Sequence, residues 1–192
     1  MKKISFLFMM LLGMWTLQSC ESGNKTDHPD TEEHAEDANE DKKSGGAEDD
    51  AEFMVKAASG GMAEVKMGEL AMQKGMSQMV KDFGKMMVDD HTKANNELMA
   101  LASAKNITLP SQPGEDYMKK YDDLNKLSGK DFDEKYMDMM QKDHKDDVEL
   151  FEDAAEDAHD ADIKAFAAKT LPTLQMHLEH AKTGEDHTDA AH

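Results

Sequence analysis

From Ala51 to about residue 183 the apolar residues recur at the three-and-four spacing of an α-helix and almost nowhere alternate. Val and Ile are scarce, so a sheet has little to be built from. The punctuation is local and clear. Gly75 breaks the first pattern and Ser77 is placed to cap the next; Asn106, Pro110 and Pro113 mark the stretch 106–113 as loop; Ser128-Gly129 and Asp160 mark two more boundaries. The spacing predicts helices over about 51–74, 78–105, 115–127, 132–158 and 161–183, then a polar tail at 184–192. Asp131 with Glu134 resembles a capping box for the fourth of these.

Four of the helices are long, ~33–42 Å at the standard rise. The first two are joined tightly, as are the last two, so each pair is expected to form an antiparallel hairpin. The connection 106–130 carries its own short helix and is long enough to return the chain across the bundle. The expected fold is therefore all-α: a ferritin-like four-helix bundle with a short extra helix in the crossover connection, with a plain up-down bundle as the alternative.

The first 50 residues read differently. Met1-Lys2-Lys3 is a cationic start, and residues 4–17 are apolar but too short to span a bilayer as a permanent helix. Leu17-Gln18-Ser19-Cys20 resembles a bacterial lipobox, so 1–19 is expected to be a lipoprotein signal peptide and Cys20 the lipidated residue. Cys20 is the sole cysteine, which excludes an intramolecular disulfide. Residues 21–50 hold 12 acidic side chains and 3 lysines with almost nothing apolar, so 20–50 is expected to be an acidic disordered tether; His28 and His34 lie in it. The expected location is the bacterial cell envelope, anchored to the outer membrane and facing the periplasm or the cell surface. The whole chain has 22 lysines, no arginine and 41 acidic residues, a net charge of −19. Nucleic-acid partners and arginine clamps on phosphate are excluded by that balance.

Placing residues 100° apart on each helix finds four polar groups inside apolar stripes. His91 shares its face with Val80, Phe83, Met87, Ala94, Leu98 and Leu101, and His144 with Met137, Met140, Val148, Phe151 and Ala155. His177 falls with Ile163, Phe166, Leu174 and Ala181, provided Pro172 does not split the helix, and Glu64 lies on a face of small residues. Glu64, His91 and His144 sit near their helix midpoints and His177 about a turn beyond its own, so the four are expected to converge. Two arrangements satisfy such a group. One is a divalent transition metal (Zn, Fe, Mn or Cu) on Glu64, His91, His144 and His177, with Asp90, Asp147 and His180 orienting the ligands from behind. The other is a buried Glu–His hydrogen-bond network without metal. The 18 methionines, 14 of them outside the leader, read as pliable core filler. Gly60, Gly61 and Gly68 suggest close helix packing. No Ser-His-Asp order or reactive cysteine supports a hydrolase.

The segments 53–65 (FMVKAASGGMAEV), 87–95 (MVDDHTKAN), 132–136 (FDEKY) with Asp143-His144, and 171–178 (LPTLQMHL) resemble the bacterial envelope family called domain of unknown function 4142, in order over about 52–182. The resemblance implies a ferritin-like helical fold and an exported protein, often labelled an outer-membrane protein, with no established activity. The family's recurrent acidic and histidine positions map to Glu64, Asp90, His91, His144 and His177. Ferritin-like di-iron sites use Glu-x-x-His on two helices. Here Val88, Gln141 and Leu174 stand three residues before the histidines, which argues against a ferroxidase. The expected function is a lipid-anchored, non-catalytic envelope protein holding one metal ion. The alternatives are a mononuclear metal oxidoreductase and a metal-free structural or interaction module.

Overall fold

The structure is a computed structural model. It describes residues 31–40 and 45–190, with side chains up to 184; the leader, Cys20 and His28 lie outside the described residues. Among the described residues there are six helices and no strand. They are α1 (Thr31–Glu40), α2 (Gly46–Lys74), α3 (Gln78–Lys105), α4 (Glu115–Asn125), α5 (Gly129–Asp157) and α6 (Ala161–Ala190). No described helix is long and apolar enough to cross a membrane.

α2 packs most extensively on α3, and α5 on α6; between the hairpins α2 meets α5 and α3 meets α6. Buried carboxylates set the polarity. Asp133, at the start of α5, accepts the backbone N–H of Met76 and Ser77 at the α2–α3 turn (2.8 and 2.7 Å). Asp50, at the start of α2, accepts those of His159 and Asp160 at the α5–α6 turn (2.9 and 2.7 Å). Each hairpin thus clasps the turn of the other. The clasps place the starts of α3 and α5 at one end of the bundle and the starts of α2 and α6 at the other. α3 and α5 are parallel, so the 106–128 connection must travel the length of the bundle. This is the single-crossover connectivity that ferritin-like bundles share. α4 lies in the crossover against α2 and α5. Asp133→Ala is expected to leave two enclosed N–H groups without their charged acceptor and to destabilise the protein by about 2 kcal/mol in urea unfolding.

Local chemistry explains most boundaries. Ser77 caps α3, its hydroxyl accepting the Val80 N–H at 3.2 Å, and Asp160 caps α6 through the N–H groups of Asp162 and Ile163 (2.9 and 3.3 Å). α3 ends where Asn106 turns left-handed at φ 53°. The capping box expected at Asp131 and Glu134 is not what starts α5. The helix begins earlier, after Ser128, with Gly129 at φ +61°, a conformation that favours glycine.

Three further expectations change. Residues 31–40 were expected to belong to the disordered tether but form α1, with Ala35 and Asn39 buried. The Asn39 amide exchanges two hydrogen bonds with the Thr108 backbone (2.9 and 2.8 Å), and the Thr31 hydroxyl donates to the Gln112 carbonyl at 2.8 Å. The segment docks through polar groups on a loop, so hydrophobic periodicity carries no sign of it. Residues 46–50 likewise belong to α2. At the other terminus α6 runs on to Ala190, through the start of the expected polar tail. It is also continuous through Pro172, so the angular placement of His177 stands.

The glycines on α2 permit close approach, as their pattern suggested. A Cβ on Gly68 would sit 2.8 Å from the Gly84 carbonyl, and one on Gly84 would sit 2.8 Å from the Gly68 carbonyl. The core falls into two clusters. One holds Phe53, Met54, Leu98, Phe151, Phe166 and Leu174; the other holds Met67, Val80, Met87, Phe132, Tyr136, Met140 and Ala181. Glu64, His91, His144 and His177 form the polar layer between them.

Candidate metal centre

α2 supplies Glu64, α3 Asp90 and His91, α5 His144 and Asp147, and α6 His177. Glu64 is 2 % exposed, His91 5 %, His144 and His177 0 %. All four are brought together, although they lie up to 113 positions apart in the chain (177 − 64). The geometry divides them into ligand-like and holding groups. His91, His144 and His177 each offer a ring nitrogen, and these nitrogens lie within 4.8 Å of one another. The ring centroids are 5.5, 5.2 and 5.2 Å apart.

Each ring is fixed by its other nitrogen. His144 Nδ1 lies 2.9 Å from the Met140 carbonyl, and since a carbonyl only accepts, Nδ1 carries the proton and Nε2 a lone pair. His177 Nε2 faces the Asp90 carboxylate at 3.0 Å, and His91 Nδ1 faces Glu64 Oε2 at 3.0 Å. This leaves His91 Nε2 buried and without a partner. His144 Nε2 and His177 Nδ1 stand 3.3 Å apart. A His177 ring that donates its Nε2 proton to Asp90 turns the Nδ1 lone pair toward that of His144 Nε2.

Glu64 is therefore not placed as a fourth member of the histidine group. It lies behind the rings, 3.0 Å from His91 Nδ1 and 3.2 Å from His144 Nδ1. It also groups with His144 and Asp147, donor atoms within 4.8 Å of one another. Asp90 occupies the orienting position expected of it. His180 does not: it is exposed, with its ring stacked on Phe83 (centroids 6.5 Å apart).

The electrostatics follow from burial. It lowers His91 and His177 to about 4, His91 against the pull of Asp147 and Asp90, and His177 with help from neighbouring His91. His144 is held well below the ordinary imidazole range by burial and by His91 and His177. All three rings are thus neutral at pH 7, the form that binds metal. Burial raises the Glu64 carboxyl to about 8, opposed by a hydrogen bond with Asp147, and holds Asp147 well above the usual carboxylate range, with Glu64 adding to the rise. Burial also pushes up the Tyr136 hydroxyl, which has no hydrogen-bond partner and feels the Glu64 charge.

A cavity of about 20 Å³, room for one water molecule, is lined by Glu64, His91, Asp147 and Asn95. Of the three imidazoles His91 alone lines this cavity; the three neutral rings together are a donor set suited to a divalent transition metal. The Met140 carbonyl and Tyr136 are neighbours of the centre that angular reading missed. Tyr136 had a usable signal, being on the His144 stripe at the four-residue spacing 136, 140, 144. The carbonyl had none, because every residue carries one.

Similarity to other proteins fits this architecture. No curated protein matches the sequence. Among solved structures, a crystal structure of a DUF305 fragment from Deinococcus radiodurans superposes with a TM-score of 0.63 at 8 % identity, covering 72 % of this chain and 95 % of that one. At that identity the likeness concerns the fold alone. The sequence matches the family described as Domain of unknown function (DUF4142) over residues 33–183, well over half its length, and the chain belongs to that family.

Proposed function

We propose that this chain is a lipid-anchored bacterial envelope protein whose bundle core binds one divalent transition-metal ion (Zn, Fe, Mn or Cu). The ligands are His91 Nε2, His144 Nε2 and His177 Nδ1. Glu64, the Met140 carbonyl and Asp90 hold the three rings by their far nitrogens, as carboxylates and carbonyls commonly do behind metal-bound histidine.

The observation that carries this reading is the 3.3 Å approach of His144 Nε2 and His177 Nδ1, with the buried, unpartnered Nε2 of His91 in the same histidine cluster. With the far nitrogens of these two rings held by the Met140 carbonyl and Asp90, a cation between the near nitrogens turns two facing lone pairs from repulsive to attractive. The distance also suits one, since nitrogens about 2.0–2.1 Å from a tetrahedral Zn ion stand about 3.3 Å apart. Protein purified without chelator is expected to carry close to one metal ion per chain by elemental analysis, and chelated protein to take up one on titration with Zn, Cu, Fe or Mn. Absence of uptake of all four would leave the metal-free Glu–His network as the reading.

The anchor rests on the lipobox-like Leu17-Gln18-Ser19-Cys20. Cys20→Ser is expected to shift the protein from the membrane fraction to the soluble fraction of a bacterial host; equal partition of both forms would remove the anchor. The water-sized cavity at His91 favours a second reading, an oxidoreductase that uses the open metal position. Peroxide or oxygen turnover by the metal-loaded protein, lost in His91→Ala, would select it.

A further inference from the structure

Building on the metal-binding reading, we infer that Asp147 is the doorway through which a divalent cation reaches the buried histidines, and that the cleft between α2, α4 and α5 collects the cation outside it. The cleft has a volume of about 640 Å³, and the carboxylates on its walls outnumber the lysines five to three. Lys56 is engaged by Glu52, Lys120 by Asp143 at 2.6 Å and Asp123 by Lys126 at 2.7 Å, and Asp147 is held toward its neutral form, which leaves Asp116 and Asp146 against Lys119. The space therefore presents net negative charge to solvent and favours cations.

Among the described residues Asp147 is the one that lines both this cleft and the 20 Å³ cavity beside Glu64 and His91. Its carboxyl lies within hydrogen-bonding reach of Glu64, and the Glu64 and Asp147 carboxyls each bring an oxygen within 4.8 Å of a His144 ring nitrogen. A cation that leaves the cleft thus meets the Asp147 and Glu64 carboxyls before the imidazoles, which lets it exchange water for oxygen ligands stepwise. Gly60 of α2 lies next to Asp147. A Cβ on Gly60 would lie 3.6 Å from Asp147 Oδ1 and 3.3 Å from the Tyr117 hydroxyl, so a larger side chain there narrows the same gap.

The rival approach is at Asp90, whose side chain is 36 % exposed. Asp90 faces the far nitrogen of His177, so an ion arriving there has the imidazole ring between it and the centre.

The test uses full-length protein freed of metal, mixed with cobalt(II) chloride in a stopped-flow instrument while the visible absorbance of bound Co(II) is followed. In Asp147→Asn the association and dissociation rates are both expected to fall about ten-fold, with a smaller change in equilibrium affinity; the association rate of the wild type should also fall with added salt. Gly60→Val is expected to slow both rates in the same way without removing a charge. Asp90→Asn is expected to act mainly through faster dissociation, because it loosens a ligand. If the wild type binds Co(II) and both Asp147→Asn and Gly60→Val load at its rate, the doorway is wrong and the metal site stands. If Asp90→Asn alone slows loading, the route lies at Asp90. If the wild type takes up neither Co(II) nor any of Zn, Cu, Fe and Mn, the metal reading itself fails.

Discussion

His144→Ala is expected to abolish metal uptake and to destabilise the chelated protein by about 2–5 kcal/mol, the range for emptying a large buried site. His144 is fully buried and touches the Met140 carbonyl, Glu64 and His177. Alanine leaves a cavity, removes a donor from a backbone carbonyl and deprives Glu64 of one of its two imidazole neighbours. Each effect acts in the same direction. His144→Leu separates the two consequences. It restores most of the volume and removes the polar group, so it should lose the metal and retain far more of the stability. Thermal melts of both variants in chelator, paired with metal analysis, make the comparison. Metal uptake by His144→Leu at wild-type stoichiometry would refute the ligand assignment.

The stability of the chelated protein is expected to peak near pH 6.5. His91 and His177 titrate at about 4 when folded, against 6.5 ordinarily. Between those values the unfolded chain takes up protons that the folded one refuses, so stability is lost as the pH falls, and His144 acts in the same sense. Glu64 has the opposite sign. Its carboxyl titrates at about 8 when folded, against 4.5 ordinarily, so the folded state keeps a proton that the unfolded state releases, and stability is lost as the pH rises across that window. Asp147 is raised too and adds to the alkaline loss. Below pH 6.5 three imidazoles outweigh two carboxyls; above it only the carboxyls act, at up to about 1.4 kcal/mol per pH unit each. Urea unfolding at pH 5, 6.5 and 8 reads both limbs. Glu64→Gln should flatten the alkaline limb, and a saturating metal ion should abolish it by favouring the ionised carboxylates. Equal stability of the chelated wild type at pH 6.5 and pH 8 would contradict this account of Glu64.

Helix positions were legible because long amphipathic stripes and strong punctuation agree. Gln78–Lys105 is where periodicity, Ser77 and the loop after Lys105 jointly place it. The grouping of Glu64, His91, His144 and His177 was legible for a related reason: a polar side chain inside an apolar stripe has few places to go, and midpoints of bundle helices meet at one level. Which nitrogen faces which neighbour was not legible. An angular position locates a Cβ, whereas the role of Glu64 depends on atoms several bonds farther out. The clasping roles of Asp50 and Asp133 were hidden by abundance, since nothing distinguishes those two among 41 acidic residues until the hairpins dock. α1 was hidden because Asn39 and Thr31 bind loop carbonyls, an interaction with no period.

The division of the bundle into hairpins decides when the centre can exist. The first hairpin carries one imidazole, His91, and the second carries two, His144 and His177; within each hairpin the helices pack far more extensively than across the seam. Neither half can assemble the ligand set alone, and the last imidazole arrives only with the final helix. A growing or partly folded chain therefore lacks the complete ligand set. On the proposed metal reading, acquisition of the ion follows the docking of the two hairpins.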